Sequence, residues 1–143
     1  MELKSVFIDG NIFIDAKDND RDLNQNSLKI LKYLVKNDIK IFTSCDLITT
    51  IYYILSKKGK EKALSSIEQI NKICTIIEFS NKELLQTTNL MREDTNFKDL
   101  EDTVQYVLAL NKNCNYIISN DKGFYSPDIE LFSNDKFVEK FEI

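Results

Sequence analysis

Leu3-Lys4-Ser5-Val6-Phe7-Ile8 is a short, nearly continuous apolar run that stops at Asp9. A strand wetted on one face alternates apolar and polar residues, whereas a strand covered on both faces of a parallel sheet does not. The run therefore reads as an inner strand. Working outward, Asn26 to Val35 places Leu28, Leu31, Leu34 and Val35 on one helical face, Asn37-Asp38 closes that helix, and a second apolar run follows at Ile39 to Thr43. The order is strand, helix, strand.

The alternation continues. Ser44 or Asp46 can cap a helix from Cys45 to Ser56, whose stripe of Leu47, Ile51, Ile54 and Leu55 is widened by Ile48, Tyr52 and Tyr53, so this helix is expected to be mostly buried. Gly59 breaks it, and Glu61 to Asn71 carries Ala63, Leu64, Ile67 and Ile70 on a second amphipathic face. Cys74 to Phe79 reads as a third strand. Ser80-Asn81-Lys82-Glu83 has capping-box spacing and opens a helix to Met91, followed by a polar loop from Arg92 to Asp99. From Asp99 to Asn113, Leu100, Val104, Val107 and Leu108 form a helical stripe, and Tyr116 to Ser119 is a fourth strand. Ile129 to Phe132 follows as an edge strand, and Ser133 caps a last helix holding Phe137, Val138 and Phe141. The pattern predicts a three-layer α/β/α fold around a central, mainly parallel sheet of four or five strands, with residues 1–143 as a single domain.

Composition narrows the chemistry. The chain has 143 residues, 43% of them hydrophobic, which is enough for one packed core and too apolar for disorder. It has no His, which removes imidazole general bases, Ser-His-Asp and Cys-His systems and imidazole zinc sites. Cys45, Cys74 and Cys114 form no CxxC pair, so no metal knuckle or redox motif is present. A net charge of -4 argues against a broad basic face for nucleic acid, although metal ions can supply positive charge instead. The first residues run into an apolar stretch too short for a signal peptide or a membrane span, so a cytoplasmic location without membrane attachment is expected.

Chemistry must then run on carboxylates. In open parallel sheets the functional crevice lies beyond the carboxyl ends of the strands. Asp9 follows the first strand and Asp121 the fourth. Asp102 lies in the first turn of the helix leading into the fourth strand, about 200° from Leu100 at 100° per residue, and so turns away from the expected core stripe. Three acids on one rim repel one another, and Mg²⁺ or Mn²⁺ relieves that repulsion. Singly, each acid has an ordinary reading as a strand end, a helix-start acid (Asp99, Asp102) or a turn (Asp121-Lys122-Gly123). Asn11 either starts a helix or orients Asp9. Asp15 reads equally as a solvated helix acid, and Lys57, Lys58, Lys60 and Lys62 read better as a wet helix end than as an RNA patch.

Four segments carry a resemblance. They are Val6-Phe7-Ile8-Asp9-Gly10-Asn11-Ile12-Phe13-Ile14-Asp15, Leu47-Ile48-Thr49-Thr50-Ile51-Tyr52-Tyr53-Ile54-Leu55, Asp99-Leu100-Glu101-Asp102-Thr103-Val104-Gln105-Tyr106, and Tyr116-Ile117-Ile118-Ser119-Asn120-Asp121-Lys122-Gly123-Phe124. In this order they resemble the successive motifs of a PIN domain over essentially the whole chain. The resemblance implies a metal-dependent ribonuclease, with many relatives acting as the toxin of VapBC-type toxin-antitoxin pairs. It implies Asp9, Asp102 and Asp121 as the acids that bind Mg²⁺ or Mn²⁺, Ser119 as the hydroxyl residue before the last acid, and Asn11 as the polar residue after the first. It also implies an RNA substrate, an antitoxin partner and a homodimer through the helix pair at 45–71.

Two departures stand out. Gly10 occupies a position that is commonly Thr or Ser, and alignment on Tyr52-Tyr53 puts Thr50 where most nuclease members carry a Glu. A neutral hydroxyl supplies no charge, so one metal is expected rather than a pair about 4 Å apart. Asp99 and Glu101 are close enough in sequence to compensate. Two alternatives remain at this point: a weak or inactive PIN-fold module that binds RNA or protein, and a phosphatase of the haloacid dehalogenase type with Asp9 as nucleophile, whose usual second Asp is Asn11 here.

Overall fold

The computed structural model describes residues 2–143. In chain order the elements are β1 (Ser5–Ile8), α1 (Gly10–Lys17), α2 (Asn24–Lys36), β2 (Lys40–Ser44), α3 (Cys45–Leu55), a 3₁₀ turn (Ser56–Lys58), α4 (Lys60–Ile73), β3 (Cys74–Ile77), α5 (Asn81–Glu93), α6 (Leu100–Asn111), β4 (Tyr116–Ile118), β5 (Glu130–Phe132) and α7 (Asn134–Phe141). The five strands form one sheet in the order β3-β2-β1-β4-β5. Every ladder is parallel, with Phe7 of β1 opposite Phe42 of β2 and Ile117 of β4. The three-layer α/β/α reading holds, with five strands. No helix of the described residues is long and apolar enough to cross a membrane.

The centre of the sheet follows from its composition. All four β1 residues are buried, as an inner strand with both faces covered requires. Helix α1 lies inside the core, with Ile12, Phe13, Ile14 and Ala16 buried in near succession. Its pattern is apolar almost all round over eight residues, so periodicity gives no signal for it. Gly10 opens this helix, and a Cβ added there meets Ile51 Cγ1 at 3.6 Å and Leu47 Cβ at 3.7 Å, both ordinary contacts. Gly10→Ala is therefore expected to raise unfolding free energy by about 0.4–1 kcal/mol, chiefly by restricting the unfolded chain, as read by urea denaturation.

Several expectations need correction. Leu100 is 49% exposed, because the core side of α6 begins only at Thr103 and Val104. Helix α3 is not mostly buried. Only Leu47, Ile51 and Leu55 are enclosed, while Tyr53 stands 67% exposed with the Lys57 ammonium 5.1 Å from its ring centroid. Helix α2 buries Ile30, Leu31 and Leu34, with Leu28 half-buried and Val35 exposed.

Two aromatic clusters fix the ends of the fold. Phe137 and Phe141 of α7 pack with Tyr33 of α2, Tyr116 of β4 and Phe132 of β5, with ring centroids 4.5–6.4 Å apart. The loop between α5 and α6 is polar except for Phe97, which is buried against Tyr106 and Tyr125 at 5.1 and 4.6 Å. The two tyrosine hydroxyls donate to Asp128 and Asp94, at 2.6 and 3.1 Å respectively. This anchoring sets where α6 starts, and hence where Asp102 stands.

Candidate active site

β1 lies between β2 and β4, so the chain's connections leave β1 in opposite directions along the sheet. Crevices open at such switch points, beyond the carboxyl ends of the strands. Asp9 directly follows β1, and its backbone N–H donates to the Ile118 carbonyl of β4 at 3.0 Å. Its side chain is buried. One oxygen accepts from the Gly10 N–H at 2.6 Å, which caps α1, and the other accepts from the Ser119 hydroxyl at 2.8 Å. Ser119 Oγ in turn accepts from the Asp121 N–H at 3.1 Å, and Asp121 Oδ1 accepts from the Gly123 N–H at 2.9 Å. One hydroxyl thus couples the acid after β1 to the acid after β4.

Asp102 enters from α6. Asp99 is the N-cap of that helix, its Oδ1 accepting from the Asp102 N–H at 2.9 Å. Asp99 therefore sets the helix start and does not line the crevice. Asp9, Asp102 and Asp121 do line it, in a small cleft of about 80 Å³ together with Asn11, Thr50 and Glu101. A cleft of about 710 Å³ elsewhere, lined by Lys82, Lys112, Glu78 and Glu83 among others, holds none of these acids, so size does not locate the chemistry.

The electrostatics of the small cleft are unfavourable to its own charge. Burial, then the neighbouring Asp121 carboxylate within hydrogen-bonding reach, then Asp99 and Asp9 push the Asp102 carboxyl up to about 8. Asp9 is raised mainly by burial, against the lowering effect of the Ser119 hydroxyl and the Gly10 N–H. Glu101 is raised by partial burial and by Asp46, Asp9, Asp99 and Asp121. Among the described residues no three or more His, Cys, Asp or Glu side chains are placed, as they stand, to hold a metal ion. The donor set still fits Mg²⁺ or Mn²⁺ in kind: all its oxygens are hard, and a cation relieves the repulsion that holds a proton on Asp102.

The structure sorts the remaining candidates. Asn11 neither starts α1, which begins at Gly10, nor makes a hydrogen bond to Asp9 among the described residues; it lies exposed on the cleft wall. Thr50 is exposed on the opposite wall, contributed by α3. Asp15 is not solvated. It is buried, with Arg21 Nη1 at 3.2 Å and Asn120 Nδ2 at 3.4 Å, and it ties α1 to the segment after β4. Asn120 Oδ1 also accepts from the Asn134 N–H at 2.9 Å, so that segment is held from both sides. Lys58 pairs with Asp18 at 2.6 Å and with Asp20, and Lys57, Lys60 and Lys62 are exposed.

Two further residues bear on the cleft. Asp46 stands one turn before Thr50 on α3, receives the Ser44 hydroxyl, and adds its charge to the field at Glu101. Its i, i+4 relation to Thr50 was the available signal. Gln105 is wholly buried on α6, reaches Asp9 closely enough to favour the ionised carboxylate, and makes no hydrogen bond of ordinary geometry through Nε2 or Oε1. A polar residue amid Val104, Tyr106, Val107 and Leu108 marked it.

Comparisons with known proteins agree with this architecture. A PIN domain family model matches residues 5–123. The chain is 47% identical over 141 residues to Ribonuclease VapC1 of Aquifex aeolicus (strain VF5), covering 99% of this chain and 98% of that protein. It is similar in fold to VapBC2 from Rickettsia felis, bound to a DNA fragment from their promoter, with TM-score 0.68, 21% identity and coverage of 90% and 98% of the two chains. DNA-bound VapBC from Salmonella typhimurium has TM-score 0.68 at 14% identity, over 93% of this chain and 99% of that one.

Proposed function

This chain belongs to the PIN domain family, and from that premise we propose that it is a Mg²⁺- or Mn²⁺-dependent endoribonuclease of the VapC toxin type, acting in the cytoplasm as a single domain. The observation that carries the reading is Ser119, whose hydroxyl couples Asp9 to Asp121 at the switch point where Asp102 also arrives. Asp9, Asp102 and Asp121 would hold the ion. When bound, it supplies Lewis-acid charge to a phosphodiester and lowers the pKa of water. Ser119 and the Gly10 N–H keep the Asp9 oxygens aimed, and Asp99 fixes the turn that presents Asp102. Glu101, on the rim, is a hydrogen-bond acceptor for an attacking water. The test is cleavage of RNA by the purified chain: activity in Mn²⁺, lost in chelator and restored by Mn²⁺, supports the reading, and metal-independent cleavage or none overturns it.

Thr50 favours one second reading, a weakly active module that binds RNA or protein, because the wall that α3 contributes carries no charge at that position. Thr50→Glu would add a fifth carboxylate to the cleft, beside Asp9, Glu101, Asp102 and Asp121. Mn²⁺ affinity is expected to rise about tenfold, since hard cations gain from added anionic oxygens. Metal-free stability is expected to fall by about 0.5–1 kcal/mol through like-charge repulsion at an exposed site. Calorimetric titration and thermal unfolding read the two opposite signs. The phosphatase alternative falls with the family assignment.

The proposal extends to two partners. The acidic cleft suits an Arg offered by an antitoxin, as bidentate carboxylate pairing favours that residue. A second copy suits α3 and α4, which expose Tyr53 and Leu64 and leave Ile48 and Ile67 half-buried. Sedimentation is expected to give a dimer that Tyr53→Lys weakens.

A further inference from the structure

Gln105 is the one buried polar side chain of the described residues whose N and O atoms are both left without a hydrogen bond. Buried amides are almost always satisfied, so each exception calls for a cause. Gln105 lies on α6 one turn beyond Asp102 and is wholly enclosed. Its neighbour Asp9 is also buried, and each Asp9 oxygen accepts one hydrogen bond, from the Gly10 N–H or the Ser119 hydroxyl. An ionised carboxylate has about four acceptor sites. Asp9 therefore has unused acceptor capacity beside an amide that reaches it but makes no hydrogen bond of ordinary geometry.

We infer that Gln105 is a positioning residue for the divalent-cation site, its Nε2–H holding the ionised Asp9 carboxylate in the orientation it presents to the ion. The inference rests on the metal-dependent reading above. Such outer contacts orient ligands, and their loss commonly lowers metal affinity about 10–100-fold. A merely structural amide makes the opposite forecast, since removing a structural hydrogen-bonding group lowers stability while leaving the ion's affinity alone.

Gln105→Met keeps the length of the side chain and deletes the amide. On the full chain, Mn²⁺ titration calorimetry is expected to show affinity reduced about 10–100-fold. Metal-free thermal unfolding is expected at the wild-type temperature or above it, because two unpaired buried polar atoms are gone. Gln105→Leu serves as a second deletion of the amide should the thioether pack poorly. If wild type binds Mn²⁺, Asp121→Asn does not, and both Gln105 variants bind as wild type does, the ribonuclease-site reading stands and this inference alone is overturned. Both variants folding less stably with unchanged Mn²⁺ affinity overturns it too. A wild-type chain that takes up no Mn²⁺ overturns the two readings together.

Discussion

Asp9→Asn, Asp102→Asn and Asp121→Asn are each expected to slow Mn²⁺-dependent RNA cleavage by about 10³-fold while leaving the fold intact. Removing a single preorganised group that stabilises developing charge commonly costs about 10²–10³-fold, and a lost ligand also weakens metal occupancy. The fold survives because Asn at position 9 can still accept the Gly10 N–H through its amide oxygen and donate its amide N–H to the Ser119 hydroxyl oxygen, while positions 102 and 121 border solvent. In the metal-free state the Asp102 and Asp121 changes also remove repulsion, so their unfolding temperatures should equal or exceed that of wild type. Single-turnover cleavage beside calorimetry measures both. Full activity in any one variant removes that residue from the catalytic set.

The second large effect is on pH and stability without metal. The Asp102 carboxyl titrates at about 8 in the folded chain, raised first by burial and then by Asp121, whereas an unfolded Asp titrates near about 3.9. A group raised on folding contributes stability that is fully present below its unfolded pKa and is lost as pH rises through its folded pKa. Metal-free protein should therefore lose stability between about pH 4 and about pH 8. Asp9 and Glu101, raised in the same direction, add to the slope. Solvent reaches Asp102, so screening reduces its share to about 1–2 kcal/mol, or roughly 3–8 °C in unfolding temperature. Asp102→Asn should flatten that slope, and saturating Mn²⁺ at pH 8 should restore the lost stability. Equal slopes for wild type and Asp102→Asn would contradict the crowding described at the cleft.

How far the sequence spoke is visible in particular residues. The strand β1, its stop at Asp9 and the capping box at Ser80 and Glu83 were legible because each depends on residues within a few positions. Helix α1 was not. Its eight residues are enclosed on nearly every side, and enclosure erases the period that marks a surface helix. Leu100 misled for the converse reason: it fits the apolar repeat, but the anchoring of Phe97 and the Asp99 cap start the helix with Leu100 facing water. At the site, the residues that share the cleft could be named from strand ends and the family's motif order. The Ser119 bridge, the burial of Asp15 and the orphaned Gln105 amide depend on distant segments meeting, which no local spacing records.

The hydrogen bond from Ser119 to Asp9 joins positions 110 apart in the chain, and β1 waits for β4 over a similar span. Contacts of such long range form late, since the loop they close must be ordered before they repay it. During synthesis Asp9 is therefore made well before Ser119 or Asp121. The cleft they share with Asp102 cannot be assembled before all of these residues have been made. The topology thus withholds the assembled cleft from a growing chain and yields it only once β1 and β4 have paired.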